Sequence, residues 1–119
     1  MKEKSVAQLR MQKKIQQLLQ NTFIEADLSL NNRKFSLTIS EVDISPDFRN
    51  LKIFMKLPDF FLEKDKNNFI KKMNKEGIFS IKNILAKNIN FKYIPDPIFK
   101  IDNSEEKVKR VEEILANNI

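Results

Sequence analysis

The chain has 119 residues, 22 basic and 16 acidic side chains for a net charge of +6, one glycine, and no cysteine, histidine or tryptophan. Without His or Cys there is no Ser-His or Cys-His nucleophile pair, no zinc site of the usual ligand types and no disulfide framework. A lone glycine, Gly77, cannot build a P-loop, a GxGxxG turn or a GxxG phosphate clamp, because each brings backbone to phosphate at two or more glycines.

From Ser5 to about Thr22, Met11, Ile15, Leu18, Leu19 and Phe23 recur at spacings of three and four, with Arg10, Lys13, Lys14 and Gln17 opposite. This predicts an amphipathic helix with a basic outer face. Asp27 to Lys34 is polar and reads as a loop, Asn31-Asn32 tolerating left-handed backbone. Phe35, Leu37 and Ile39 then alternate with polar residues, and after a break at Ser40-Glu41 the alternation resumes at Val42 and Ile44, predicting a bulged strand. Ser45-Pro46-Asp47 supplies turn chemistry, and Leu51, Ile53, Met55 and Leu57 form a second strand that Pro58 closes. The two strands are predicted to pair antiparallel.

Phe69, Ile70, Met73, Ile81, Ile84, Leu85 and Ile89 give a long helical pattern, broken near Gly77, where a kink or a junction of two helices is expected. Phe91 and Tyr93 are expected to begin a third strand, interrupted by Pro95-Asp96-Pro97 and continued by Ile98 to Ile101; its prolines suit an edge. Asp102-Asn103-Ser104 before Glu105-Glu106 suits a helix N-terminus, completed by Val108, Val111, Ile114 and Leu115. The order helix-strand-strand-kinked helix-strand-helix predicts an α+β two-layer sandwich, because three strands cannot close a barrel and the helices must cover one sheet face.

A chain of this length is expected to form a single domain over residues 1–119. The start lacks the apolar stretch of a signal peptide, and no segment approaches the roughly 18 apolar residues of a membrane span, so a cytoplasmic protein is expected. Residues 1–100 carry 19 positive and 11 negative charges (+8), and residues 101–119 carry 3 and 5 (−2), so the positive field belongs to the main body. Such a field attracts polyanions, RNA above all.

Two blocks carry a family resemblance. Val42-Asp43-Ile44-Ser45-Pro46-Asp47-Phe48-Arg49-Asn50-Leu51-Lys52-Ile53-Phe54 resembles the V-x-V-S-x-D-L-x-x-A-K-V-Y block of bacterial ribosome-binding factor A, and Lys92 to Ser104 is similar to that family's R-x-V-P-E-L-x-F-x-x-D-x-S stretch. Val6-Ala7-Gln8 and the helix after it fit the family opening, so the resemblance spans essentially the whole chain. It implies a KH-like fold of the bacterial type, without the GxxG loop, in a non-enzymatic maturation factor. Such a factor binds free or precursor small (30S) ribosomal subunits, contacts 16S rRNA, and assists late assembly and processing of the 16S rRNA 5′ end. In the family an interhelical kink with an Ala-x-Gly signature replaces the clamp. Counted back from Pro95, that signature falls on Gly77-Ile78-Phe79, so Phe79 stands at the glycine position; either the kink lies two residues away or the helix is longer.

Three basic groups are candidate RNA contacts: Arg10, Lys13 and Lys14 on the first helix; Arg49 and Lys52 beside the turn, with Phe54 and Lys56 on the same strand face; and Lys71, Lys72, Lys75 and Lys82 around Gly77. A solvated surface is the plain alternative for each. Ser45, Pro46 and Asp47 read as turn formers, Gly77 as the kink, and Asp102 and Ser104 as caps. No catalytic residue, metal site, cofactor, small-molecule substrate or membrane partner is expected, and a monomer is. The alternative function is a basic protein-interaction adapter that binds RNA incidentally.

Overall fold

A computed structural model describes residues 3–117. The elements run α1 (Val6–Ile24), β1 (Leu28–Leu30), β2 (Arg33–Phe35), β3 (Thr38–Ile44), β4 (Asn50–Lys56), α2 (Glu63–Lys72), a π-helical turn (Met73–Gly77), α3 (Ile78–Asn88), β5 (Asp96–Ile101) and α4 (Ser104–Asn117). In the sheet of order β3-β4-β5, β3 and β4 are antiparallel, whereas β4 and β5 are parallel. The period-two side chains divide its faces: Ile39, Val42, Ile44, Leu51, Ile53, Met55 and Phe99 are buried against Ile15, Leu19 and Phe23 of α1 and Ile81 and Leu85 of α3. Burying each such side chain contributes roughly 1.5–3 kcal/mol. This is the expected α+β two-layer arrangement, KH-like in its order of elements, and the bulge falls between Ile39 and Glu41.

Three expectations need correction. Residues 27–34 are not a plain loop but part of a small antiparallel hairpin of β1 and β2, and the bulged strand expected from Phe35 starts only at Thr38, Phe35 belonging to β2; Asn31 (φ 51°) and Asn32 (φ 67°) are both left-handed at the hairpin's tip. Two successive left-handed residues match the twist of paired strands, and asparagine adopts that conformation at low cost. The third strand does not begin at Phe91 and Tyr93; residues 89–95 are irregular and β5 starts at Asp96. At its second residue, Pro97, the N–H position points away from β4, as the Phe99 N–H does towards Asn74, so the missing N–H costs the ladder with β4 no hydrogen bond. The side chains of Glu105, Glu106 and Val108 lie outside the described residues, and those of Val111, Ile114 and Leu115 on α4 are exposed.

Both sheet edges are closed by side-chain amides. Gln8, Gln12, Gln16 and Gln20 stand one turn apart on α1. The Gln8 and Gln12 side chains bond Ile44 O and N, Gln16 donates to Ile39 O and Ser40 O, and Gln20 exchanges bonds with Leu37 O and Ile39 N. They supply what a fourth strand would have supplied. On β5, Asn74 of the π-turn donates to Phe99 O (3.0 Å) and accepts from Phe99 N–H (2.7 Å).

The kink is the π-turn itself, ending at Gly77, just before Ile78 and Phe79. Gly77 has ordinary right-handed helical torsions (φ −87°, ψ −17°). A Cβ there would meet Met73 at 3.6 Å and Phe99 at 3.9 Å, which is van der Waals distance. Gly77→Ala is therefore expected to stabilise the fold by about 0.5–1 kcal/mol, read as a raised midpoint in urea unfolding, because glycine's extra unfolded-state freedom gains nothing here.

β5 continues into Asp102, whose N–H donates to Met55 O (2.7 Å) and whose carboxylate accepts from Ser104 N–H (3.0 Å). Hydrogen bonding by the Ser40 hydroxyl, then by the Ser104 backbone and hydroxyl, lowers the Asp102 pKa to about 2 from 3.8. Because the folded value is the lower one, the ionised carboxylate stabilises the fold above the unfolded pKa of 3.8, and that contribution is lost as pH falls towards 2. Asp102→Asn should accordingly lose less melting temperature than the parent between these pH values.

Candidate nucleic-acid interface

The Ser45–Asn50 turn is built by its own side chains. Phe48 N–H donates to Ser45 O (2.9 Å) with Pro46 inside the turn, the Ser45 hydroxyl donates to Asp47 Oδ1 (2.6 Å), and that oxygen also accepts from Arg49 N–H (3.1 Å). Asn50 N–H donates to Ser45 Oγ (3.0 Å). These bonds, Ser45's first and the Arg49 amide's second, hold the Asp47 carboxyl below its ordinary pKa. They also impose a left-handed conformation on Phe48 (φ 60°), which costs a bulky residue about 1–2 kcal/mol and persists because its ring packs against the core. The turn thereby aims Arg49 at Tyr93, its guanidinium carbon 5.3 Å from the ring centroid, with Lys92 Nζ at 5.6 Å from the same ring.

Two surface depressions meet at Met11 and Asn90. One, of about 440 Å³, holds Phe48, Arg49, Phe91, Lys92 and Tyr93; the other, of about 490 Å³, holds Lys14, Gln17, Asn21 and Asn88. Together they join Lys14 of the first-helix group to Arg49 of the turn group, while Lys13 lines a separate depression with Gln16, Gln20 and Ile39. Arg10, Lys13 and Lys14 are exposed, α1 contains no acidic residue from Val6 to Ile24, and the ion pairs among the described residues include none of the three. Lys92, Tyr93, Asn88 and Asn90 were not among the candidate contacts read from the sequence, which placed residues 91–93 in a strand; a Lys-Tyr pair with Asn88 and Asn90, at and just past the end of α3, before it and a proline after it was the available signal.

The remaining candidates lie elsewhere in different company. Lys52 is on the open sheet face opposite Asp43, and Phe54 lies between Glu41 and Lys100 in the neighbouring cross-strand row, so this face mixes both charges. Asp43 is also paired with Lys4. Lys82 is held by Asp96 at 2.8 Å. Lys71, Lys72 and Lys75 are exposed, but Lys72 shares its groove with Asp27, Asp65 and Glu76. No helix N-terminus opens among these lysines, since the backbone stays right-handed helical through Lys72, Met73, Gly77 and Ile78. Among the described residues no helix is long and apolar enough to cross a membrane.

The fold matches solved structures. A Thermotoga maritima protein described as a ribosome binding factor A superposes with TM-score 0.67 at 18% identity, covering 86% of this chain and 92% of that one. Ribosome-binding factor A from Thermus thermophilus gives 0.58 at 16% identity, over 79% and 93%. In sequence, the chain is 33% identical over 112 residues to ribosome-binding factor A of Pelagibacter ubique, covering 93% of this chain and 88% of that protein. It is 31% identical over 111 residues to the Buchnera aphidicola protein of that name, over 90% and 85%. The profile of ribosome-binding factor A matches residues 7–115, and the chain belongs to the ribosome-binding factor A family.

Proposed function

We propose that this protein is a cytoplasmic, monomeric, single-domain maturation factor that docks on free or precursor 30S subunits. It contacts 16S rRNA and assists late assembly and processing of the 16S rRNA 5′ end. The observation that carries this reading is the acid-free basic face of α1 running into the Arg49–Lys92–Tyr93 cleft, on a chain whose relatives are named for ribosome binding. Lysine–phosphate contacts give affinity and salt dependence; the shape of folded rRNA gives site choice. The factor acts by differential binding, shifting an rRNA equilibrium only as far as it prefers one conformation over the other, and this needs neither cofactor nor chemistry.

Co-sedimentation with separated small and large subunits across a salt series tests the reading. Saturable pelleting with the small subunit alone is the expected result. Equal, salt-labile pelleting with both subunits would reduce the protein to a generic polycation. Association that survives complete rRNA digestion would favour the adapter.

A further inference from the structure

Tyr93 is 59% exposed, and the two cations near its ring are loosely placed. Arg33 shows what a closed stack looks like in this molecule, at 4.0 Å over Phe60, whereas Arg49 and Lys92 stand at 5.3 and 5.6 Å from Tyr93. An aromatic face left open between two cations is the arrangement by which single-strand binders stack a base while neutralising the phosphates beside it. The cleft's volume of about 440 Å³ lies within the roughly 300–1,000 Å³ of sites that enclose small organic groups. Its one acidic side chain, Asp47, is turned into the hydrogen bonds of its own turn.

We infer that this cleft takes an unpaired base of single-stranded RNA against Tyr93, with the flanking phosphates drawing Arg49 and Lys92 off the ring. The strand continues past Asn90 towards Lys14. Asn90 offers an amide donor and acceptor along that path and Asn88, whose Nδ2 donates to Ile84 O (2.8 Å), its Oδ1 acceptor; both residues are exposed. The inference deepens the rRNA-docking reading and rests on it: the segment bound would be a single-stranded stretch rather than a helix.

Tyr93 is the chain's only tyrosine and there is no tryptophan, so intrinsic fluorescence reports this ring alone. Titrating the full chain with hexauridylate should quench that emission saturably, and a blunt RNA duplex of equal charge should not. Measured by anisotropy of a labelled hexauridylate, Tyr93→Ala should weaken binding roughly 5- to 100-fold with the salt slope unchanged, while Tyr93→Phe should bind as the parent does. Equal quenching by the duplex, or parental binding by Tyr93→Ala, overturns the stacking site. Selective 30S pelleting alongside Tyr93-independent oligonucleotide binding would overturn the stacking site and leave docking standing. Single-strand quenching without any subunit pelleting would do the reverse.

Discussion

Reversing the charge of Lys13 and Lys14 together, to glutamate, is expected to weaken 30S association roughly 10- to 100-fold near physiological salt and to lower the salt slope by about two, one for each phosphate no longer neutralised. Both side chains are exposed on a helix without an acidic residue, so reversal removes attraction and adds repulsion with no intramolecular partner released. Unfolding midpoints should stay within about 0.5 kcal/mol of the parent, as for most surface changes. The informative control is Lys71→Glu with Lys72→Glu. Lys72 already shares its groove with the carboxylates of Asp27, Asp65 and Glu76, which offset its charge, and that pair should change binding less than about threefold. Equal weakening by the two double variants would move the docking face from α1 to α2 or spread it over the whole surface. The test is sedimentation of each variant at several salt concentrations, since a single concentration confuses the removal of a specific phosphate partner with a general decrease in positive charge.

What the chain discloses locally and what it hides follow from the range of the interactions. The bulge in β3 was legible at Ser40-Glu41 because a phase slip in a period-two pattern has one geometric meaning, and the structure shifts register there. The β1–β2 hairpin was not, because three-residue strands with Leu28 and Leu30 as the alternating pair carry too little pattern, and its tip is Asn-Asn rather than Asn-Gly. The kink was placed near Gly77 on glycine's low helix propensity, yet the distortion is a π-turn over five residues in which glycine's freedom is not needed. The edge-closing role of the α1 glutamines is not legible in the sequence, since nothing local separates an amide facing water from one bonding Ile44 or Leu37 across the fold. The candidate interface divides in the same way. The basic face of α1 follows from helical spacing, whereas the junction of Lys14 with Arg49 and Tyr93 depends on tertiary placement of the 89–95 segment.

Asn74 provides the second large effect, on stability. Its side-chain amide presents a donor and an acceptor in one plane, as a peptide unit does, and it meets both polar groups of Phe99 at 3.0 and 2.7 Å. Phe99 is itself buried, with an edge-on ring contact to Phe23 at 6.5 Å, so water reaches its backbone poorly once the amide is gone. Asn74→Ala leaves an N–H and a C=O unpaired at about 1–3 kcal/mol each, and a destabilisation of about 2–4 kcal/mol is expected in urea unfolding. Asn74→Asp separates the two bonds: a carboxylate still accepts from Phe99 N–H, but it has no donor for Phe99 O and sets a negative charge beside that oxygen, so at neutral pH it should cost about as much as alanine. Opening the β5 edge also exposes strand backbone for pairing with another chain, and the alanine variant should show concentration-dependent association that the parent does not. A parental midpoint in both variants would mean that water, rather than Asn74, satisfies this edge.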